Sequence, residues 1–284
     1  MGFLCSMSLF ITSLNSGSNG NCYYVGTERE AILVDAGISC REIEKRMKRL
    51  GLSMDKVRAV FISHEHSDHI RGLETLSKKF HLPVFITRDT LRFGRLRLEP
   101  SRTFGFQAGE VIQFGELSVT AFSKLHDAAD PFSFLVSSNG VSVGVFTDIG
   151  KPCEQVIHHF KQCHAAFLES NYDDHLLEQG NYPHHLKRRI RSEHGHLSNQ
   201  QALQLFLEHR PSFMNHLILS HLSQNNNCPK LVEELFVQHA CGVRITVASR
   251  YQETDLFPVV AANAAASLTY SPTAKPEQLE FSFS

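Results

Sequence analysis

The 284-residue chain has almost no net charge, no cysteines in C-x-x-C spacing and no long apolar run. The formal charge of −1 leaves no global positive field, so any nucleic-acid contact must rest on a local basic patch. The seven cysteines (Cys5, Cys22, Cys40, Cys153, Cys163, Cys228 and Cys241) are scattered and odd in number, which argues against a disulfide framework and against a thiolate zinc ribbon. They read as small hydrophobes in a reducing compartment. Nothing approaches the roughly 18 apolar residues of a membrane span. The opening Met1 to Ile11 lacks the basic start of an export signal, so a cytoplasmic location is expected. Gly2 to Ser6 fits the loose M-G-x-x-x-S myristoylation pattern, which a start at Met7 would delete.

What is present is an ordinary globular balance, 42% apolar and 20% charged, enough for a sizeable core. Strand-like runs cover Ser8 to Leu14, Cys22 to Val25 and Ala31 to Val34, with a turn-rich loop from Ser16 to Asn21. Ser39 caps an expected helix to Leu50, with Arg41, Lys45, Arg46, Lys48 and Arg49 on its outer face. Val57 to Ser63 is a buried-strand pattern, Ile70 to Phe80 a helix, Pro83 to Thr87 a short strand and Thr90 to Leu98 a short basic helix. Four apolar runs follow: Val111 to Phe114, Leu117 to Ser123, Phe132 to Ser137 and Val141 to Phe146. The last two are joined by the hairpin signal Asn139-Gly140. Helices then alternate with strands: Glu154 to Gln162, Ala165 to Leu168, Ser198 to His209, His216 to Ser220, Pro229 to His239 and Val243 to Ala248. Between them, Glu169 to Asn199 is polar and rich in His and Arg. From about Pro258 the pattern fails, so residues 1–258 are expected to form one domain and 259–284 a disordered tail. This order predicts an α/β fold with two mixed sheets covered by helices, an αββα sandwich.

The sharpest signal is His64-Glu65-His66-Ser67-Asp68-His69, directly after the buried strand. Three imidazoles and a carboxylate suit zinc, manganese or iron(II). On a loop leaving a strand end, His64 and His66 can face one ion while Asp68 and His69 turn toward a second. Three further candidates, His126, Asp148 and His221, each stand at or just beyond the end of an apolar run. Two cations about 3.5–4 Å apart can share a water, lower its pKa and neutralise charge on the attacked centre, with Asp68 placed to accept a proton.

H-x-H-x-D-H followed by His, Asp and His at strand ends resembles the metallo-β-lactamase superfamily over Ser8 to Ala248. The resemblance implies that His64, His66 and His126 hold one divalent ion, that Asp68, His69 and His221 hold the other, and that Asp148 bridges them. Further blocks narrow the resemblance: the Gly17-Ser18-Asn19-Gly20-Asn21 loop, His126-Asp127-Ala128-Ala129-Asp130-Pro131, Tyr182-Pro183 through Ile190, Gly195-His196-Leu197-Ser198-Asn199 and His221-Leu222-Ser223-Gln224-Asn225-Asn226. Together these are similar to the YycJ/WalJ-like branch, with Asn19 where serine is usual. That branch implies 5′-to-3′ exonuclease action on DNA and a part in mismatch repair.

The residues fit a phosphodiesterase independently. Lys187, Arg188, Arg189 and Arg191 can neutralise a phosphate backbone. Ser18 and Asn19 offer a possible phosphate nest. His196, just before the Ser198-Asn199 helix start, can protonate a leaving group or donate to a phosphate oxygen. Arg88, Arg92, Arg95, Arg97 and Arg102 form a second basic stretch. The resemblance implies DNA over RNA, with an RNA-processing nuclease, a thioester or lactone hydrolase and a non-catalytic nucleic-acid-binding protein as alternatives. Near the end, Gln278-Leu279-x-Phe281-x-Phe283 resembles the short peptide by which bacterial repair proteins dock on a sliding clamp.

Overall fold

Strands with apolar residues at consecutive positions need cover on both faces, and both sheets of this protein are built that way. The computed structural model describes residues 8–261. The first half supplies β1 (Ser8–Asn15), β2 (Cys22–Gly26), β3 (Ala31–Val34), β4 (Val57–Phe61), β5 (Val84–Phe85) and β6 (Thr103–Phe104), with α1 (Cys40–Arg49), α2 (Ser67–Ile70), α3 (Leu73–Phe80) and α4 (Arg88–Phe93). The second supplies β7 (Val111–Phe114), β8 (Leu117–Ser123), β9 (Phe132–Ser138), β10 (Val141–Phe146), β11 (Ala165–Glu169), β12 (His216–Ser220) and β13 (Arg244–Val247), and ends in β14 (Phe257–Val260). Its helices are α5 (Glu154–Phe160), α6 (Asp174–Gln179), α7 (His184–Ile190), α8 (Asn199–His209) and α9 (Pro229–Val237).

Each sheet has seven strands, in the orders β14-β1-β2-β3-β4-β5-β6 and β13-β12-β11-β10-β9-β8-β7. Strands β3 to β6 and β10 to β13 run parallel and the remaining pairs antiparallel, so both sheets are mixed. Between the sheets, Ile32 and Val34 of β3 meet Phe61, Phe134, Val143, Phe167 and Ile218. On the outer face of the first sheet, Ala31 and Leu33 pack with Ile43, Met47 and Leu76 from α1 and α3. On the outer face of the second, Leu217 and Leu219 pack with Phe206 and Phe236 from α8 and α9. At roughly 1.5–3 kcal/mol per fully buried apolar side chain, these two-sided strands set the frame. The expected αββα sandwich is the observed architecture.

Several local expectations are corrected. Arg46 is buried, not on an outer face: it donates to Leu14 O at 2.6 Å, Asn15 Oδ1 at 2.7 Å and Tyr251 O at 3.1 Å. The helix expected from Ile70 to Phe80 is two helices, because Gly72 N–H leaves the helical ladder to donate to Ala36 O (2.8 Å). The basic helix begins earlier, at Arg88, where Thr87 caps it, and it stops at Phe93 before Arg95 turns left-handed (φ 52°). The polar stretch after Glu169 contains α6 and α7, which lack a periodic apolar face strong enough to read from sequence. Val259 and Val260 belong to the fold, since β14 pairs with β1 and Val259 is fully buried. Residues 262–284 of the expected tail, including Gln278, Leu279, Phe281 and Phe283, lie outside the described residues, as do Gly2, Ser6 and Met7. Among the described residues no helix is long and apolar enough to cross a membrane.

Candidate metal centre

The parallel strands of both sheets end at one rim, and the polar residue after each strand faces the others. Asp35 follows β3, His64 follows β4 by way of Ile62 and Ser63, Asp148 lies just past β10, Glu169 closes β11 and His221 follows β12. Three of these, Asp35 (φ 63°), Asp148 (φ 56°) and His221 (φ 56°), are held in the left-handed region, a cost of order 1–3 kcal/mol each. Stitching from the first sheet fixes the loop: Asn21 N donates to Asp68 O at 2.7 Å. Gly37 is required beside it, because a Cβ there would lie 1.6 Å from Asp68 O.

Four overlapping donor groups result among the described residues: the two expected trios, a third of His64, His69 and Asp148, and a quartet of Asp148, Glu169, His196 and His221. His64, His66 and His126 each offer a ligand atom within 4.8 Å of the other two, and so do Asp68, His69 and His221. Asp148 touches both trios, with Oδ2 3.2 Å from His69 Nε2 and Oδ1 3.7 Å from His126 Nε2. The rings are oriented from behind. Asp35 Oδ2 lies 2.7 Å from His69 Nδ1, Gly195 O 3.0 Å from His126 Nδ1 and Glu169 Oε1 2.8 Å from His221 Nδ1. An acceptor at Nδ1 holds the proton there and leaves the Nε2 lone pair for a cation.

The electrostatics match. Burial alone would depress His69 and His221, yet the surrounding carboxylates overcome it. Asp148, Asp35 and Asp68 hold His69 well above its ordinary value, and Asp148, Asp68 and Glu169 lift His221 to about 10. Burial likewise works to raise Glu169, but His196 and His221 outweigh it and bring its carboxyl down to about 2. His64 goes the other way, pushed well below its ordinary value by burial and by the neighbouring His69. Its Nε2 is buried without a hydrogen-bond partner among the described residues, a costly state unless something else occupies that lone pair. A donor set of imidazole nitrogen and carboxylate oxygen, in a field that favours positive charge and with one ring nitrogen otherwise orphaned, fits a divalent cation such as Zn²⁺, Mn²⁺ or Fe²⁺.

The cleft over this cluster has a volume of about 250 Å³, and Ser18, Asp127, Tyr182, Arg189, His196 and Ser223 contribute to its walls. His196 Nδ1 sits 2.8 Å from Glu169 Oε1. The expected basic face on α7 resolves into separate roles. Arg189 reaches the cleft and pairs with Asp127, Arg188 is exposed, and Arg191 pairs with Glu178 at 2.7 Å. Lys187 is buried and donates to Glu178 O. Asn19 is exposed and its Nδ2 donates to Arg250 O at 3.0 Å. Ser198 and Asn199 are buried, the first capping α8 and the second accepting from Ser170 Oγ at 2.7 Å. Asp35 and Glu169 were not singled out from sequence, although each closes an apolar run, the same signal that marked Asp148 and His221.

Fold and site together define a metal-binding hydrolase with the metallo-β-lactamase architecture. The Beta-lactamase superfamily domain family model matches residues 30–222, and the chain belongs to that family as a YycJ/WalJ-like member. It is similar to a Bacillus anthracis protein named "Exodeoxyribonuclease YycJ", at 36% identity over 79% of this chain and 86% of the relative. It is also similar to "Exodeoxyribonuclease WalJ" of Streptococcus pneumoniae, at 28% identity over 86% of this chain and 93% of the relative. Among solved structures, the metallo-beta-lactamase fold protein YhfI from Bacillus subtilis superposes with a TM-score of 0.67 at 17% identity, covering 88% of this chain and 99% of that one.

Proposed function

We propose that the protein is a metal-dependent phosphodiesterase acting on DNA, a 5′-to-3′ exonuclease with a part in repair in the cytoplasm. The observation that carries the reading is the pair of donor trios with Asp148 between them and His64 Nε2 orphaned. The names of the two bacterial relatives support DNA over RNA. In this reading His64, His66 and His126 hold one divalent ion, Asp68, His69 and His221 hold a second, and Asp148 serves both. Such ions, Zn²⁺ or Mn²⁺ with Fe²⁺ as a further candidate, polarise a phosphoryl oxygen and make water a usable nucleophile at neutral pH.

The chain's own groups do the rest. Asp68, 3.4 Å from His221 Nε2 and 3.3 Å from Asn21 Nδ2, keeps a carboxylate oxygen at the cleft to accept a proton. Glu169 fixes the Nδ1 proton of His196, so that Nε2 is the atom that exchanges a proton with the leaving oxygen. Arg189 and Ser18, both in the cleft wall, hold the phosphate. The tail residues Gln278, Leu279, Phe281 and Phe283 are proposed to dock on a sliding clamp; equal clamp affinity for the full chain and for a chain ending at Pro276 removes that part.

The test is cleavage of 5′-labelled and 3′-labelled duplex DNA, single-stranded DNA and RNA, with Mn²⁺ or Zn²⁺, beside Asp68→Ala and His64→Ala. DNA cleavage lost in both variants is expected, with mononucleotides released from the 5′ label. Wild-type protein that carries metal but cuts no nucleic acid sinks the reading and turns attention to thioesters and lactones.

A further inference from the structure

Beside the catalytic cleft lies a second crevice of about 210 Å³, floored by Leu222, Val247 and Ala248 and edged by Ser223, Arg250 and Tyr251. Ser223 lines both spaces, so they share a wall. Arg250 stands between them. Its guanidinium donates to Leu222 O at 2.9 Å and Gln224 Oε1 at 2.8 Å and reaches Ser18 Oγ, at the cleft, at 3.4 Å. The backbone of this corner is held tightly. Arg46 donates to Tyr251 O at 3.1 Å, Ser249 Oγ accepts from Tyr251 N at 3.0 Å, and Asn19 Nδ2 donates to Arg250 O at 3.0 Å. Yet Tyr251 is left 75% exposed, more than the other exposed aromatic residues Phe93 and Phe104. A rigid backbone presenting an aromatic face next to a guanidinium is how proteins hold the bases of single strands, because every base has a π-face and every linkage a negative charge.

We infer that this crevice is a base subsite, which takes the nucleobase next to the scissile phosphate of a single-stranded DNA end, stacked on Tyr251 with Arg250 beside its phosphate. The inference rests on the phosphodiesterase reading and deepens it. An apolar floor suits a flat heterocycle, and the volume admits one base rather than a run of nucleotides. The positive charge of Arg250 lies on the side of the crevice nearest the cleft, where it reaches Ser18 Oγ. Arg46, buried in the first sheet's helix layer, thereby acquires a reason for its burial: it fixes the corner that carries the ring.

The experiment measures kcat/KM for the wild type, Tyr251→Ala and Tyr251→Phe on a single-stranded oligonucleotide and on the same oligonucleotide with an abasic site at the second position. Stacking of ordinary strength predicts about a tenfold loss for Tyr251→Ala on the intact strand. A similar loss is expected for the wild type on the abasic strand, with no further loss when the two are combined, and Tyr251→Phe should match the wild type. Losses that multiply, or Tyr251→Ala equal to wild type on the intact strand, overturn the subsite while leaving the nuclease reading in place. A wild type that cuts neither strand overturns both.

Discussion

Glu169 Oε1 lies 2.8 Å from His196 Nδ1, and the carboxylate is wholly buried at the end of β11. The same oxygen is 2.8 Å from His221 Nδ1, so one carboxylate orients a proposed proton donor and a proposed metal ligand. Its other oxygen accepts from Ile149 N at 2.8 Å and Leu197 N at 3.1 Å, which fixes it between two loops. Glu169→Gln keeps the shape but removes the charge, and its amide NH2 must then face either the two ring N–H groups or the N–H groups of Ile149 and Leu197, which are themselves donors. The expected result is a loss of kcat of about 10- to 100-fold together with weaker metal retention. A variant with full kcat across the pH range shows that neither ring depends on Glu169.

Asp35 makes a parallel case that isolates metal affinity from proton transfer. It holds His69 through Nδ1 and also accepts from Ser63 N at 2.8 Å and Ser63 Oγ at 2.9 Å, but it touches no group that faces the cleft. Asp35→Asn is expected to weaken binding of the ion near His69 by about 10- to 100-fold, measured by chelator competition. Activity should return when metal is in excess. Unchanged affinity contradicts the arrangement.

The sandwich and the convergence of the seven His and Asp residues at one rim were legible because buried strands and clustered imidazoles leave strong local marks. Asp148 and His221 could be found because an ionisable residue just after an apolar run is conspicuous. Asp35 and Glu169 carry the same mark but lack a neighbouring motif, and their partners are 34 and 27 or 52 residues away in sequence. Only the folded rim brings them together. Arg46 shows the opposite error: helical spacing beside four exposed basic residues hides a cation that is satisfied by β1 and the segment at Tyr251.

Acid should destabilise the fold through His216, which opens β12 at the end opposite His221. Its Nε2 is 2.9 Å from Thr246 Oγ1, its ring packs edge-on against Phe257, and burial, aided by the nearby Arg244, lowers its pKa to about 4. The unfolded value is 6.5, so between 6.5 and 4 the unfolded chain binds the proton and the native state does not. Stability is therefore complete above pH 6.5 and falls as pH drops toward 4, by about 2 kcal/mol at pH 5. Urea midpoints at pH 7.5 and 5 for wild type and His216→Asn check this. The gap between the two proteins should narrow in acid; a constant gap removes the assignment.

Neighbouring basic residues on α7 should separate cleanly into binding and folding effects. Arg189 reaches the cleft and is more than half exposed, with its guanidinium steered by Asp127. Removing the proposed phosphate contact weakens binding without disturbing the core, so Arg189→Ala is expected to raise KM for DNA by about tenfold and to flatten its dependence on salt. Lys187, two residues earlier, is buried with its ammonium on Glu178 O. Lys187→Ala strands that carbonyl and leaves a void where the buried stem lay, so it should lower the unfolding temperature by several degrees with KM close to wild type. Helix phase separates the two: a half-turn lies between a side chain that lines the cleft and one that is buried in the protein. If Lys187→Ala raises KM as much as Arg189→Ala while the fold keeps its stability, α7 is a uniform basic face after all, and the cleft wall must be redrawn to include Lys187.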